Sequence, residues 1–136
     1  MFLSPAGNAF FLRVMHMDVR PSWVHVLIIT SEFQMARTKA IYDWIFGLYP
    51  LPSAKPAYKL DYRAVDDRGA LAPPVLRSRR QRENASLKSF LGGSLIRMTQ
   101  LARVHEWINL QHSGYSVAGM LSKKPLDRTS ALAQTY

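Results

Sequence analysis

The stretch WVHVLIITSEFQMARTKAIYDWIFGLYP, residues 23–50, decides the fold because it predicts a strand that leads directly into a helix. Residues 23–30 are rich in β-branched side chains and poor in polar ones, which is typical of a strand covered on both faces. The helix is predicted to begin either at the S-x-x-Q capping box of Ser31 or near Thr38. Gly47 weakens its last turn and Pro50 ends it. Its apolar stripe, at spacing i, i+3, i+4 and i+7, consists of Ile41, Trp44, Ile45 and Leu48.

A second strand is predicted at residues 57–65, where AYKLDYRAV alternates between charged side chains and apolar or aromatic ones. The connection is long enough for a crossover, so the two strands can pair in parallel. We therefore expect an α+β fold with a small sheet and a strand-helix-strand core. Before this core, NAFFLRVMHM (8–17) has β propensity and predicts a first strand or an extended arm.

The remaining chain is predicted to form a basic loop and a helical extension. Residues 66–85 are rich in Pro and Arg without a clear period, which indicates an irregular loop. Residues 86–111 regain a helical pattern that Gly92 and Gly93 should break or bend. The tail from His112 looks extended, with order that depends on a partner. The expected organisation is a core with its arm (1–65), a basic loop (66–85) and a helical extension with tail (86–136).

The charge of the chain is strongly positive and unevenly placed. Eighteen Lys and Arg against nine Asp and Glu give a formal net charge of +9 and a pI near 10.3. Residues 1–62 contain six basic and four acidic residues, whereas residues 63–136 contain twelve and five. A large net positive charge favours a polyanionic partner. The charge expected to bind this partner lies mostly in residues 63–136.

Several classes of function lack the residues they need. The sequence has no cysteine, which excludes disulfides, thiolate catalysis and Cys-based metal sites. Apolar runs such as 26–29 are far shorter than the roughly 20 residues of a membrane-spanning helix. The four histidines have no zinc-site spacing, and Asp66 with Asp67 indicates a turn with local charge compensation rather than acid and base catalysis. We expect no enzyme activity, no metal and no cofactor.

The strongest functional pattern is a run of four arginines within residues 77–82. In an irregular loop each guanidinium can approach a different phosphate or bind one through two hydrogen bonds, and it can also stack on an exposed base. A solvated charge run or a docking patch for an acidic protein remain alternatives. The predicted RNA-binding residues are Arg63, Arg68, Arg77, Arg79, Arg80, Arg82, Lys88, Lys123 and Lys124.

Residues 24–65 resemble the ribosomal protein twenty-three family of the large subunit. In that family a hydrophobic strand leads through a Thr-Lys turn into a helix and then a second strand. The opening 8–11 (NAFF) also resembles mitochondrial members, and the first seventeen residues contain no acid, as in mitochondrial transit segments. The matching elements are residues 24–29, Thr38 with Lys39, Ile41 with Ile45, Leu48 with Tyr49, and residues 58–65.

The resemblance implies a structural constituent of a large ribosomal subunit in the mitochondrial matrix. Such proteins bind ribosomal RNA near the polypeptide exit of the tunnel, through a basic loop after the second strand, beside neighbouring ribosomal proteins. Contacts with chaperones or membrane-insertion factors are also implied, without a matching residue here. The helical pattern from Ser86 departs from the further strand of the family. The alternative is an accessory subunit of an organellar respiratory or ATP-synthase complex.

Overall fold

The computed structural model describes residues 4–53, 55–112 and 115–122. These residues form several helices and a two-stranded sheet, which confirms the predicted α+β class. The elements are α1 (Pro5–Leu12) with a π-helical turn (Arg13–Met17), β1 (His25–Ser31), α2 (Glu32–Phe46), β2 (Lys59–Val65), α3 (Pro73–Gly92) with a 3-10 turn (Leu95–Arg97), α4 (Leu101–Leu110) and α5 (Val117–Leu121).

The predicted strand-helix-strand core is confirmed, including its parallel pairing. His25 lies opposite Lys59, and the register continues to Ser31 opposite Val65. The capping box at the start of α2 is not formed, because the side chain of Gln34 accepts a hydrogen bond from Thr30 Oγ1 at 3.0 Å instead. Ser31 still occupies the N-cap position by its extended backbone.

The predicted apolar stripe supplies the centre of the core, and its last member, Leu48, follows the end of α2. Ile41, Ile45 and Leu48 are buried and Trp44 is half-buried, as the spacing predicted. Burial of such side chains stabilises the fold by about 1.5 to 3 kcal/mol each. The same core receives Phe10 from α1 and two residues of α4, Val104 and Ile108.

The N-terminal segment is helical, so the predicted strand or extended arm at 8–17 is wrong. Ser4 is the N-cap of α1, its hydroxyl accepts a hydrogen bond from the Gly7 amide at 3.2 Å, and Pro5 occupies the first helical position. A capping serine followed by proline is a strong local start signal for a helix. Burial of Phe10 against the core then outweighs the β propensity of the aromatic residues.

The basic segment is also mostly helical, so the predicted irregular loop at 66–85 is wrong from Pro73 onward. The two prolines at 73 and 74 begin α3, a position where their missing amide hydrogens cost nothing. The side chains that α3 buries are Val75, Arg79 and Glu83. Because two of these three are charged, the buried face gives no hydrophobic period.

The break predicted at Gly92 and Gly93 is confirmed, since α3 ends at Gly92. The chain then returns to the core through an isolated bridge between residues 49 and 100. The Tyr49 amide donates to the Thr99 carbonyl at 2.7 Å, and the Leu101 amide donates to the Tyr49 carbonyl at 2.7 Å. These bonds hold the start of α4 against the end of α2. Within the described residues, no helix combines the length and apolar character needed to cross a membrane.

Gly7 of α1 packs closely against the side chain of Tyr115, and this contact gives a first prediction. A Cβ at this position would overlap the ring and hydroxyl of Tyr115, whereas one at Gly92 meets no atom within 4 Å. We expect Gly7→Ala to lower the free energy of unfolding by about 1 to 2 kcal/mol through overpacking. Gly92→Ala, the matched control, should be neutral or stabilise by up to about 1 kcal/mol. Urea unfolding measures both, and an unchanged Gly7→Ala would contradict this packing.

Candidate nucleic-acid interface

The charge of α3 is segregated between its buried and exposed faces. The helix contains five basic residues and a single acid, Glu83. That acid is buried, and its carboxylate accepts two hydrogen bonds from the Arg37 guanidinium of α2, at 2.5 and 2.8 Å. The negative charge of α3 is therefore neutralised inside the fold, and its solvent side is positive.

A polar row runs along the outside of α3, opposite the buried face. Arg77, Gln81, Asn84 and Lys88 follow the spacing i, i+4, i+7 and i+11, and all four are exposed. We call this row the outer stripe. Neither Arg77 nor Lys88 forms an ion pair with any described residue. Eleven residues of helix place the two cations about 16 Å apart along the axis. The outer stripe can therefore contact separate phosphates of one nucleic-acid strand, with amides between them to donate hydrogen bonds.

The four predicted arginines do not act as one cluster, because the helix distributes them around its axis. Arg79 is buried, with 7% of its surface exposed. Arg80 lies on one flank, where its Nη2 is 3.8 Å from carboxylates of both Glu32 and Asp67. Arg82 is exposed on the other flank, about 140° around the axis from Arg77. The prediction that each guanidinium reaches its own phosphate from a loop is therefore wrong for two of the four. Arg79 is buried, and Arg80 lies beside two carboxylates.

The negative charge in the turn after β2 is compensated by a nearby arginine, as predicted for the Asp66 and Asp67 pair. Arg68 donates to Asp66 through its backbone amide at 2.9 Å and its Nε at 2.6 Å. These hydrogen bonds lower the pKa of the Asp66 carboxyl and raise the pKa of Arg68. Asp67 is buried and accepts from the Phe33 amide at 2.7 Å, so it fixes the start of α2. Arg68 is thus already paired, although it was predicted as an RNA contact.

Arg63 lies on an open face of the sheet, which corrects the expectation that both faces of β1 are covered. On this face Leu27 and Ile29 are 56% and 57% exposed, beside Asp61 and Arg63 of β2. His25 contacts Asp61 at 2.6 Å, so this histidine is a satisfied surface residue. Arg63 is therefore accessible, on a different element from the outer stripe.

Two predicted contacts, Lys123 and Lys124, lie outside the described residues. Among the residues that are described, no group of three or more His, Asp or Glu side chains could hold a metal ion. The charge pattern of the sequence indicates Arg77 and Lys88 but not the uncharged Gln81 and Asn84. Their spacing from Arg77 would have revealed them had this segment been recognised as a helix.

The fold and the outer stripe together define a small basic α+β protein with one positively charged helix surface. Comparisons with protein families, with curated proteins and with solved structures found no match to this chain.

Proposed function

We propose that this chain is a non-catalytic RNA-binding protein, and specifically a structural constituent of a mitochondrial large ribosomal subunit. The observation that carries the RNA-binding proposal is the outer stripe, with its cations unpaired among the described residues and the one acid of α3 buried. Phosphate contacts of this kind position an RNA without reading its sequence. The ribosomal and mitochondrial parts of the proposal are supported by the sequence resemblance of residues 8–11 and 24–65.

The outer stripe is tested by removing its two cations. We expect Arg77→Gln with Lys88→Gln to weaken binding of a fluorescein-labelled RNA hairpin by about tenfold at moderate salt, as measured by fluorescence anisotropy. Each phosphate contact contributes about 0.7 to 0.9 to the slope of log affinity against log salt, so the slope should fall by about 1.4 to 1.8.

The control removes the same charge elsewhere, by Lys59→Gln with Arg97→Gln. Both side chains are exposed and neither pairs with a described residue. A smaller loss in this control supports a local interface on α3. Equal losses would show diffuse attraction by net charge, and binding that does not depend on salt would contradict the proposal altogether.

The second candidate is an accessory subunit of an organellar respiratory or ATP-synthase complex. The open sheet face favours it, because exposed Leu27 and Ile29 bury better against protein than against phosphate. Nuclease sensitivity separates the two candidates. If the native particle keeps its size and this chain after RNase digestion, the ribosomal proposal fails and the second candidate stands.

A further inference from the structure

A ligand-sized pocket opens between the start of α1 and helices α2, α3 and α4, with a volume of about 510 Å³. Cavities of this size commonly accommodate small molecules or single groups of larger ones. Its apolar lining includes three aromatic side chains, Trp44 of α2, Phe90 of α3 and Trp107 of α4, with aliphatic side chains such as Ile41 and Leu95 beside them. These side chains also pack against the core, so the pocket has a rigid floor.

Three of the side chains that α3 contributes to this pocket are polar. Arg82, Ser86 and Ser89 follow the spacing i, i+4 and i+7, which places a guanidinium and two hydroxyls along one side. Arg37 also lines the pocket, but Glu83 already holds it. Arg82 forms no ion pair within the described part of the chain. An aromatic floor beside a cation and hydroxyl donors suits a ligand with a planar apolar body and an anionic group.

We propose that this pocket binds one unstacked nucleotide of an RNA strand, with the base over the aromatic floor and the phosphate at Arg82. This inference rests on the proposed RNA-binding function and deepens it. The pocket flank of α3 lies about 140° around the axis from the outer stripe, an arc of about 13 Å at the side-chain surface. About four stacked nucleotides, at about 3.4 Å each, span that distance. One strand can therefore contact the outer stripe and place a base in the pocket.

The pocket adds a preference for single strands. A base in a duplex is stacked and paired, so only an unpaired or extruded base can enter an aromatic pocket. Stacking on aromatic side chains contributes about 1 to 3 kcal/mol per base and tolerates any base. Single-stranded RNA should thus bind through both surfaces, whereas a duplex uses the outer stripe alone.

Tryptophan fluorescence reports on the pocket directly. Trp23 lies under the Arg20 guanidinium at 4.6 Å and does not line the pocket, so Trp23→Phe leaves the two pocket tryptophans as reporters. In this background we expect oligouridylate to quench the emission and an RNA duplex of equal length to leave it unchanged. Decanoate, an anionic amphiphile, is the competing probe and should not quench.

Two pocket variants and one control complete the test. Ser89→Leu, which fills the pocket, and Arg82→Gln should each weaken oligouridylate binding by about tenfold and leave duplex binding unchanged. Arg80→Gln removes the same charge from the opposite flank of α3 and should not affect quenching. Circular dichroism verifies that Ser89→Leu folds. If this variant does not fold, Arg82→Gln alone still tests the pocket.

The outcomes separate this inference from the proposed function. Absence of quenching by oligouridylate, with binding still weakened by Arg77→Gln and Lys88→Gln, overturns the pocket inference and leaves the proposed function standing. Quenching by decanoate but not by RNA also overturns it, in favour of an amphiphile site. If neither RNA binds, both proposals fail.

Discussion

Replacing Arg13 with Met is expected to lower the free energy of unfolding by about 3 to 5 kcal/mol, the range for removing one partner of a buried charged group. The side chain of Arg13 is completely buried. Its Nη1 donates to the Ile45 carbonyl at 2.6 Å and its Nη2 to the Pro50 carbonyl at 2.9 Å, while its Nε lies 3.4 Å from Asp18. The Ile45 carbonyl belongs to the last turn of α2, where a cation is also favoured by the helix dipole.

Methionine keeps the apolar stem of arginine but removes the guanidinium donor from the Pro50 carbonyl, and it removes one of several donors from the Ile45 carbonyl and the Asp18 carboxylate. Arg13→Lys keeps the charge, yet one ammonium cannot reproduce the two-pronged geometry of a guanidinium, so we expect an intermediate loss. Arg20→Met is the control, because Arg20 contacts His16 and Trp23 at the surface and should cost less than about 1 kcal/mol. Urea unfolding followed by circular dichroism measures all three. A loss below about 1 kcal/mol for Arg13→Met would show that α1 docks by apolar contacts alone.

Arg13 illustrates why part of the fold escapes prediction from sequence. The β1, α2 and β2 core was predictable because its apolar residues keep the periods of a strand and a helix. Arg13, in contrast, is one cation among apolar neighbours, and nothing local shows that two carbonyls from residues 45 and 50 will surround it. Long-range hydrogen bonds of this kind leave no trace in hydrophobic periodicity.

The candidate site was predictable in composition but not in arrangement. The concentration of arginine at 77–82 lies within α3, and Arg77 and Lys88 are exposed, where they can contact an anion. The burial of Arg79 and Glu83 could not be predicted, because charged residues on a buried helix face give the same sequence pattern as charged residues exposed to solvent. The aromatic pocket was also hidden, since Trp44, Phe90 and Trp107 come from three separate helices.

Replacing Glu83 with Leu is expected to lower the free energy of unfolding by about 2 to 3 kcal/mol, slightly less than for breaking a fully buried ion pair. The pair of Glu83 with Arg37 joins α3 to α2 through two hydrogen bonds at 2.5 and 2.8 Å, and the two side chains are 10% and 21% exposed. Removal of one member leaves the other partly desolvated and without its partner. Because solvent still reaches Arg37, the loss should stay below that of Arg13→Met.

The double variant Arg37→Leu with Glu83→Leu decides whether the pair itself is responsible. Replacing both members of a buried ion pair by apolar residues is often neutral, so we expect the double variant to be more stable than Glu83→Leu alone. Lys39 and Asp43 form an exposed pair at 2.6 Å on α2, and Lys39→Gln should cost less than about 0.5 kcal/mol. Strictly additive single losses in urea unfolding would contradict the coupling. Glu83 is the one acid of α3, and its pairing with Arg37 keeps this negative charge on the buried face, away from Arg77 and Lys88 of the outer stripe.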